Sequence, residues 1–372
     1  MSISIPENKM KIGIIGTGNI SGAYFEGLKL YPFIEVAACA DMNMDSAKEK
    51  AAKYNIPKVC TVDELLADKE IEIVINLTIP KAHAPVNLKI LEAGKHAYCE
   101  KPFALNREEG QQVLDLAKKK GLRVGCAPDT YLGPGQQLAR KLLDEGWIGR
   151  PIGGVAHMIC HGHENWHPSP EFYYEVGGGP LFDMGPYYIN ALINLLGPVK
   201  RVTSSAQTSF PTRTITSEPK KGKVFKVETP THIASILDFE NGACVTLLTS
   251  FDVWAGNLPN IEIFGAEGSM SIPDPNGTGG TVKVMRPGQK EWLEIPHLHA
   301  EPGFRGIGVA DMAKAIWNNR PQRMSGELGF HALDIMQSIL DASATGKHIT
   351  LGSTCPKPKA LPSGMPQGQV DE

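Results

Sequence analysis

Several signatures are missing from this chain of 372 residues, and each absence removes a class of protein. Cysteine is sparse and unpatterned: Cys39, Cys60, Cys99, Cys126, Cys160, Cys244 and Cys355 are odd in number and form no Cys-x-x-Cys pair. That argues against a disulfide framework and suits reduced thiols in the cytoplasm. Long apolar runs are lacking too, and no window approaches the roughly 18 residues that a membrane-spanning helix needs. The amino-terminal MSISIPENKMK leads into the first strand without the apolar core of a signal peptide. Neither sign of charge dominates: 37 Lys and Arg against 40 Asp and Glu give a net charge of −3, no footprint for nucleic acid or an acidic membrane. Internal repeats and low-complexity tracts are absent. What remains is a soluble globular composition, 42% hydrophobic and 21% charged, in a chain longer than one core usually supports. Two domains are therefore expected.

The chain is organised around residues 10–41, KIGIIGTGNISGAYFEGLKLYPFIEVAACAD after the opening Met10. The β-branched run 12–15 reads as a strand buried on both faces. Gly16-Thr17-Gly18-Asn19-Ile20-Ser21 follows at once: Gly16 permits a tight turn, and Gly18 lets a diphosphate approach the backbone. The helix that starts there turns its unpaired N–H groups and positive dipole end toward the anion. A second apolar strand, 34–40, ends in Asp41, where an acid accepts hydrogen bonds from both hydroxyls of an adenosine ribose. The same carboxylate repels a 2′-phosphate, and Met42 and Asn43 bring no arginine beside it. NAD is favoured over NADP, with Lys48 the one nearby cation that argues the other way.

Strand and helix alternate onward to about residue 127. Helices are predicted over 45–54, from a capping box at Thr61–Glu64, over 83–93 and over 108–120; strands are predicted near Val59 and over 71–77, 96–99 and 123–126. That alternation predicts a parallel sheet covered by helices on both faces. Ligands bind outside the carboxyl ends of such strands, so the glycine turn, Asp41, Thr78 and Lys101 are expected along one rim. From about Pro128 the pattern changes. Helices are expected over 136–145, 181–196, 304–318 and 326–344, and strands over 153–160, 202–208, 232–239, 243–251, 260–264, 269–272 and 281–285. Turns such as Glu240-Asn241-Gly242 make the second sheet mainly antiparallel. The predicted organisation is α/β: a dinucleotide-binding Rossmann domain over 1–127, a substrate-binding and oligomerisation α/β domain over 128–355, and a tail over 356–372 expected to be extended or loosely ordered.

Three stretches carry candidate chemistry. Lys101, in Glu100-Lys101-Pro102, comes straight off a strand end; its ammonium can bind a substrate hydroxyl or polarise a carbonyl, with the nicotinamide charge lowering its pKa. A surface lysine in a turn is the plain alternative. Gly177-Gly178-Gly179-Pro180-Leu181-Phe182-Asp183-Met184-Gly185-Pro186-Tyr187-Tyr188 places Asp183 and Tyr187 at i and i+4, a carboxylate and a phenol on one helical face. Helix capping by Asp183 and a core role for Tyr187 are the alternative there. In His161-Gly162-His163-Glu164-Asn165-Trp166-His167, alternate histidines lack the further ligands of a metal centre. Their mixture of polar and aromatic groups, with His163 and Trp166 foremost, suits a sugar ring or cofactor better.

Taken in order, GIIGTGNIS at 13–21, Asp41, Glu100-Lys101-Pro102 and GGGPLFDMGPYY at 177–188 resemble the glucose–fructose oxidoreductase/inositol dehydrogenase/rhizopine catabolism (Gfo/Idh/MocA) family. IEIFGAEGSM at 261–270 looks like that family's second-domain hairpin. The resemblance implies an NAD(H)-dependent oxidoreductase moving a hydride to or from a secondary alcohol of a sugar, glycoside or cyclitol. It implies a catalytic Lys101, a substrate-binding Asp183, and Thr78, His83 and Glu100 near the cofactor. Where inositol dehydrogenase-like members carry a histidine base, this chain has Tyr187, as glucose–fructose oxidoreductase-like members do. The proton acceptor is then one of Tyr187, Lys101 and a loop histidine. A homo-oligomer, dimer or tetramer, built on the open face of the second sheet is also implied. Two rival readings are a sugar–sugar oxidoreductase with a tightly held cofactor and a non-catalytic dinucleotide-sensing regulator.

Overall fold

The computed structural model of the chain describes residues 9–301, 303 and 305–371. Its first sheet has six parallel strands in the order β3-β2-β1-β4-β5-β6: β1 Met10–Ile15, β2 Ile34–Ala40, β3 Lys58–Val59, β4 Ile73–Asn76, β5 His96–Cys99 and β6 Val124–Cys126. Residues such as Ile12, Ile14, Val74 and Ala97 are fully buried, as strands covered on both faces require. The covering helices are α1 Ser21–Leu28, α2 Met44–Tyr54, α3 Val62–Ala67, α4 His83–Glu92 and α5 Arg107–Lys120. The expected capping box opens α3: the Thr61 side chain accepts from Glu64 N–H, and the Glu64 carboxylate accepts from Thr61 N–H. Strand order reverses between β1 and β4, so the crevice at their carboxyl ends is the switch point where doubly wound sheets bind ligands.

Helix α6, Pro134–Asp144, leads to a nine-stranded sheet ordered β16-β15-β14-β13-β7-β12-β11-β8-β17. Its strands are β7 Pro151–Ile159, β8 Val199–Gln207, β11 His232–Phe239, β12 Cys244–Ser250, β13 Ile261–Gly265, β14 Gly268–Ile272, β15 Val282–Met285, β16 Leu293–Ile295 and β17 Ile349–Thr350; β9 Thr212–Thr214 and β10 Val224–Lys226 form a separate hairpin. Every neighbouring pair in the large sheet is antiparallel except β7 with β12. Along β11, Ile233, Leu237 and Phe239 are buried while Ala234 and Ile236 are exposed, the alternation of a sheet covered on one face. The hairpin β9–β10 and the short strands β16 and β17 were not expected from the sequence, because three-residue strands leave almost no period to read.

One expectation needs correction. The helix predicted over 181–196 is two helices, α7 Gly179–Asp183 and α8 Gly185–Leu196, with Met184 between them. Pro186 lacks the N–H that would continue one ladder, so the break follows from its chemistry. Helix α9 spans Ile307–Trp317 and α10 Gly326–Thr345; the predicted start of α9 at Phe304 lies outside the described residues. The tail from 356 has neither helix nor strand and is tied to the body at several points. Arg140 donates to Pro358 O at 2.7 Å, Leu361 N–H to Gln137 Oε1 at 2.7 Å, and Asp371 meets Arg323 through two bonds of 2.7 and 2.8 Å. Among the described residues no helix is long and apolar enough to cross a membrane.

Candidate active site

The glycine turn has the geometry a dinucleotide needs. Gly16 has φ of +100°, and a Cβ there would lie 2.6 Å from Leu77 O, so only glycine fits between β1 and the loop after β4. A Cβ on Gly18 would meet nothing within 4 Å, so that side of the turn is open. Ser21 closes the turn by donating to Gly18 O at 2.7 Å, while Asn19 and Ile20 stand at the head of α1. Asp41, brought alongside by the β1–β2 pairing, accepts from Thr17 N–H at 2.7 Å, Thr17 Oγ at 3.0 Å and Asn43 N–H at 2.8 Å. A carboxylate offers about four acceptor positions, so capacity for a ribose hydroxyl remains. These residues fit a dinucleotide.

Further along the rim, Thr78 donates through Oγ to Asn76 Oδ1 at 2.6 Å. His83 does not face the cleft. It is 1% exposed, with Nδ1 2.7 Å from Pro102 O and Nε2 3.0 Å from Thr78 O. Burial lowers its pKa, the carbonyl contacts oppose that, and the net is lowered. Its ring ties the loop carrying Thr78 to the turn carrying Lys101. Glu100 is also buried; Oε1 accepts from Tyr24 Oη at 2.8 Å and Oε2 from Lys101 N–H at 3.1 Å.

Lys101 meets Asp183 beneath the second sheet. Its Nζ donates to the Asp183 carboxylate at 2.8 Å and to the Asp183 main-chain carbonyl at 2.7 Å. The other carboxylate oxygen lies 3.2 Å from His163 Nε2. Desolvation opposes both charges, but each is outweighed by the other: Asp183 is pulled down to about 2, and Lys101 is held above an ordinary lysine. In this arrangement the carboxylate holds Lys101 as an ammonium. Two of its three N–H groups are engaged, which leaves one for a ligand oxygen.

Tyr187 is not paired with Asp183 on a continuous helical face, since the break at Met184 separates them. Its ring lies 5.4 Å from Lys101 Nζ, and its hydroxyl oxygen accepts from Arg305 Nη2 at 2.7 Å. Lys101, His163, Trp166, Asp183 and Tyr187 all line one cleft of about 680 Å³. His163 is held edge-on by Tyr173 at 4.3 Å and Phe251 at 4.5 Å, and Trp166, 60% exposed, stands at the margin. The alternate histidines diverge: His161 stacks on Trp254 while His163 turns to Asp183. Beneath this loop the buried Arg213 pairs with Glu164 and Asp252, and Tyr174 donates to Glu164.

The sequence reading missed Arg305. Its side chain is 1% exposed, and it reaches Tyr187 and, at 3.5 Å, Glu100 Oε1. Asp129, also missed, fixes the neighbouring backbone by accepting from Gly306 N–H at 2.9 Å and Gly308 N–H at 3.0 Å. A charged residue set between glycines at the head of a buried helix was the signal available.

Fold and site together define a nicotinamide-dinucleotide-binding protein whose second unit closes a polar cleft over the sheet's carboxyl rim. Family models agree: one described as an oxidoreductase family with an NAD-binding Rossmann fold matches residues 10–127, and the GFO/IDH/MocA C-terminal domain matches 136–271. The chain belongs to the Gfo/Idh/MocA oxidoreductase family. An uncharacterized oxidoreductase of Rhizobium meliloti, ORF334, is 30% identical over 72% of this chain and 75% of its own. Myo-inositol 2-dehydrogenase of Thermotoga maritima is 24% identical over 70% and 74%. The chain spans about half the length of two uncharacterized Schizosaccharomyces pombe oxidoreductases it also matches, 56% and 55%. Levoglucosan dehydrogenase in complex with NADH and L-sorbose shares the fold, with a TM-score of 0.79, 21% identity, and coverage of 93% of this chain and 99% of that one.

Proposed function

We propose that this chain is an NAD(H)-dependent oxidoreductase acting on a secondary alcohol of a sugar, glycoside or cyclitol. The observation that carries the reading is the buried Lys101–Asp183–His163 chain facing the same cleft as Tyr187, at the end of the dinucleotide-binding sheet. The bound dinucleotide supplies a nicotinamide that exchanges a hydride. Lys101, kept as an ammonium, binds the reacting oxygen and offsets negative charge that develops there. Asp183 holds that ammonium and, with His163 and Trp166, orients neighbouring hydroxyls. The Thermotoga relative's activity on myo-inositol supports a polyol substrate.

NAD over NADP is supported by Asp41 and by Lys48, which is exposed and paired with Asp45 at 3.6 Å. Seven free cysteines suit a reducing cytoplasm. The uncovered face of the nine-stranded sheet, which presents Ile236 and Phe264, suits assembly with further copies. A dinucleotide sensor would not need the buried ammonium–carboxylate pair, which costs desolvation without serving recognition of the dinucleotide.

The test is Lys101→Ala assayed by NAD reduction across a panel of monosaccharides, glycosides and inositols. NAD binding should stay within a few-fold while kcat falls by about 10²–10⁴. Unchanged turnover would remove the assignment.

A further inference from the structure

Resting on that reading, we propose that Arg305 is a positioning residue: it fixes the Tyr187 hydroxyl at the cleft wall and steadies negative charge on that oxygen while the phenol exchanges a proton with the substrate. The sequence leaves three residues in contention for this proton, and the geometry separates them. Lys101 has two N–H groups committed to Asp183, and His163 is committed to the opposite oxygen of the same carboxylate. Tyr187 is different, because its oxygen accepts from Arg305 rather than donating. A phenol that accepts one hydrogen bond keeps its own O–H to give elsewhere, and Tyr187 lines the cleft.

Charged and titratable groups face this phenol from every side. Lys101 and Glu100 come from the turn after β5, Asp183 from α7, Arg305 from the segment before α9, and the Tyr173 phenol from the loop beneath the cleft. Burial and the two carboxylates disfavour a phenolate, the two cations favour it, and the balance leaves Tyr187 protonated at neutral pH. It therefore begins as an acid. In the reducing direction its proton passes to the substrate oxygen as a hydride reaches the adjacent carbon. The phenolate left behind is held by the Arg305 N–H until solvent returns a proton. Oxidation is the reverse: the phenolate takes the proton of the substrate hydroxyl, and a bound dinucleotide would accept the hydride lost from the neighbouring carbon. Arg305 suits the task because its own backbone cannot drift, pinned through Gly306 and Gly308 to Asp129.

The test uses the full chain with Arg305→Gln, Arg305→Lys and Tyr187→Phe. In ligand-free protein, the ultraviolet phenolate titration of Tyr187 is isolated by subtracting the Tyr187→Phe curve. Arg305→Gln should move that titration about one to three pH units higher, with a smaller upward move in Arg305→Lys, and the pH limb of kcat should follow. If Arg305→Gln does not fold, Arg305→Lys is judged by the same direction. A titration left in place, or a kcat that falls equally at every pH, would make Arg305 purely structural and overturn the proposal. Wild-type turnover in Tyr187→Phe would overturn it too, while leaving the oxidoreductase reading intact. If no alcohol is oxidised at all, that reading fails, and the ligand-free titration still decides whether Arg305 governs Tyr187.

Discussion

Gly27→Ala is the substitution on which helix propensity and tertiary packing disagree most clearly. Gly27 lies in the last turn of α1, where alanine should stabilise by about 0.8–1 kcal/mol. The structure predicts the opposite. A Cβ on Gly27 would fall onto the carbonyl oxygen of Arg305, with the carbonyl carbon only 2.8 Å away. Carbon atoms settle at about 3.5–4 Å, and the oxygen lies closer still, so the Arg305 peptide must retreat by at least about 1 Å. It is not free to do so, because Gly306 and Gly308 are bonded to Asp129. Overpacking of this kind costs about 1–3 kcal/mol, and weakening a hydrogen bond to a buried carboxylate adds about 1.5–3 kcal/mol. The clash wins, for a net loss of about 2 kcal/mol or more. The guanidinium is carried away from Tyr187 by the same shift, and a misplacement of about 1 Å is worth on the order of 10²-fold in turnover. Urea unfolding followed by circular dichroism, with kcat measured on the same preparation, checks both. A Gly27→Ala protein as stable as the parent, and as active, would show that the Arg305 peptide does not lie against α1.

Three further outcomes follow from other parts of the fold. Asp41→Ser should weaken NAD by about 10- to 100-fold, the worth of hydrogen bonds to a charged group, and narrow the gap to NADP; equal NAD affinity by calorimetry would contradict the ribose assignment. His331, fully buried, accepts from Val199 N–H at 3.1 Å and is pushed by burial to about 4 from 6.5. Between those values the unfolded chain binds a proton that the folded chain refuses, so stability is full above pH 6.5 and declines toward pH 4, by about 3 kcal/mol for this group. In His331→Gln the urea midpoint should fall less between pH 7 and 5 than in the parent, and an identical fall would dismiss the assignment. Asp371→Ala leaves the buried Arg323 with Asp311 as its one remaining carboxylate among the described residues and should destabilise by about 3 kcal/mol; a midpoint within error of the parent would show that this ion pair does not hold the tail.

How much of this was legible in the sequence depended on distance along the chain. The strand–turn–helix of residues 10–41 could be read because its parts are local: Gly16 needs its conformation at its own position, and Asp41 reaches Thr17 only 24 residues away. Lys101 and Asp183 were found by motif, while their contact, 82 residues apart, came only with the fold. Arg305 and Tyr187 are 118 apart, and nothing local to either announces the other. The error over Asp183 and Tyr187 was of another kind. An i, i+4 spacing implies one helical face only where the ladder is continuous, and Pro186, which lacks the N–H to continue it, stands between them.

That same break has a practical consequence for anyone wishing to redirect this protein. Lys101 is moored to a main-chain oxygen of residue 183 as well as to its side chain. A library randomised at 183 therefore does not cast the lysine adrift with each change, since the peptide oxygen is common to all twenty residues. Neutral residues there leave the lysine in place but withdraw the charge that keeps it an ammonium, so a library at 183 separates the geometric half of the mooring from the electrostatic half.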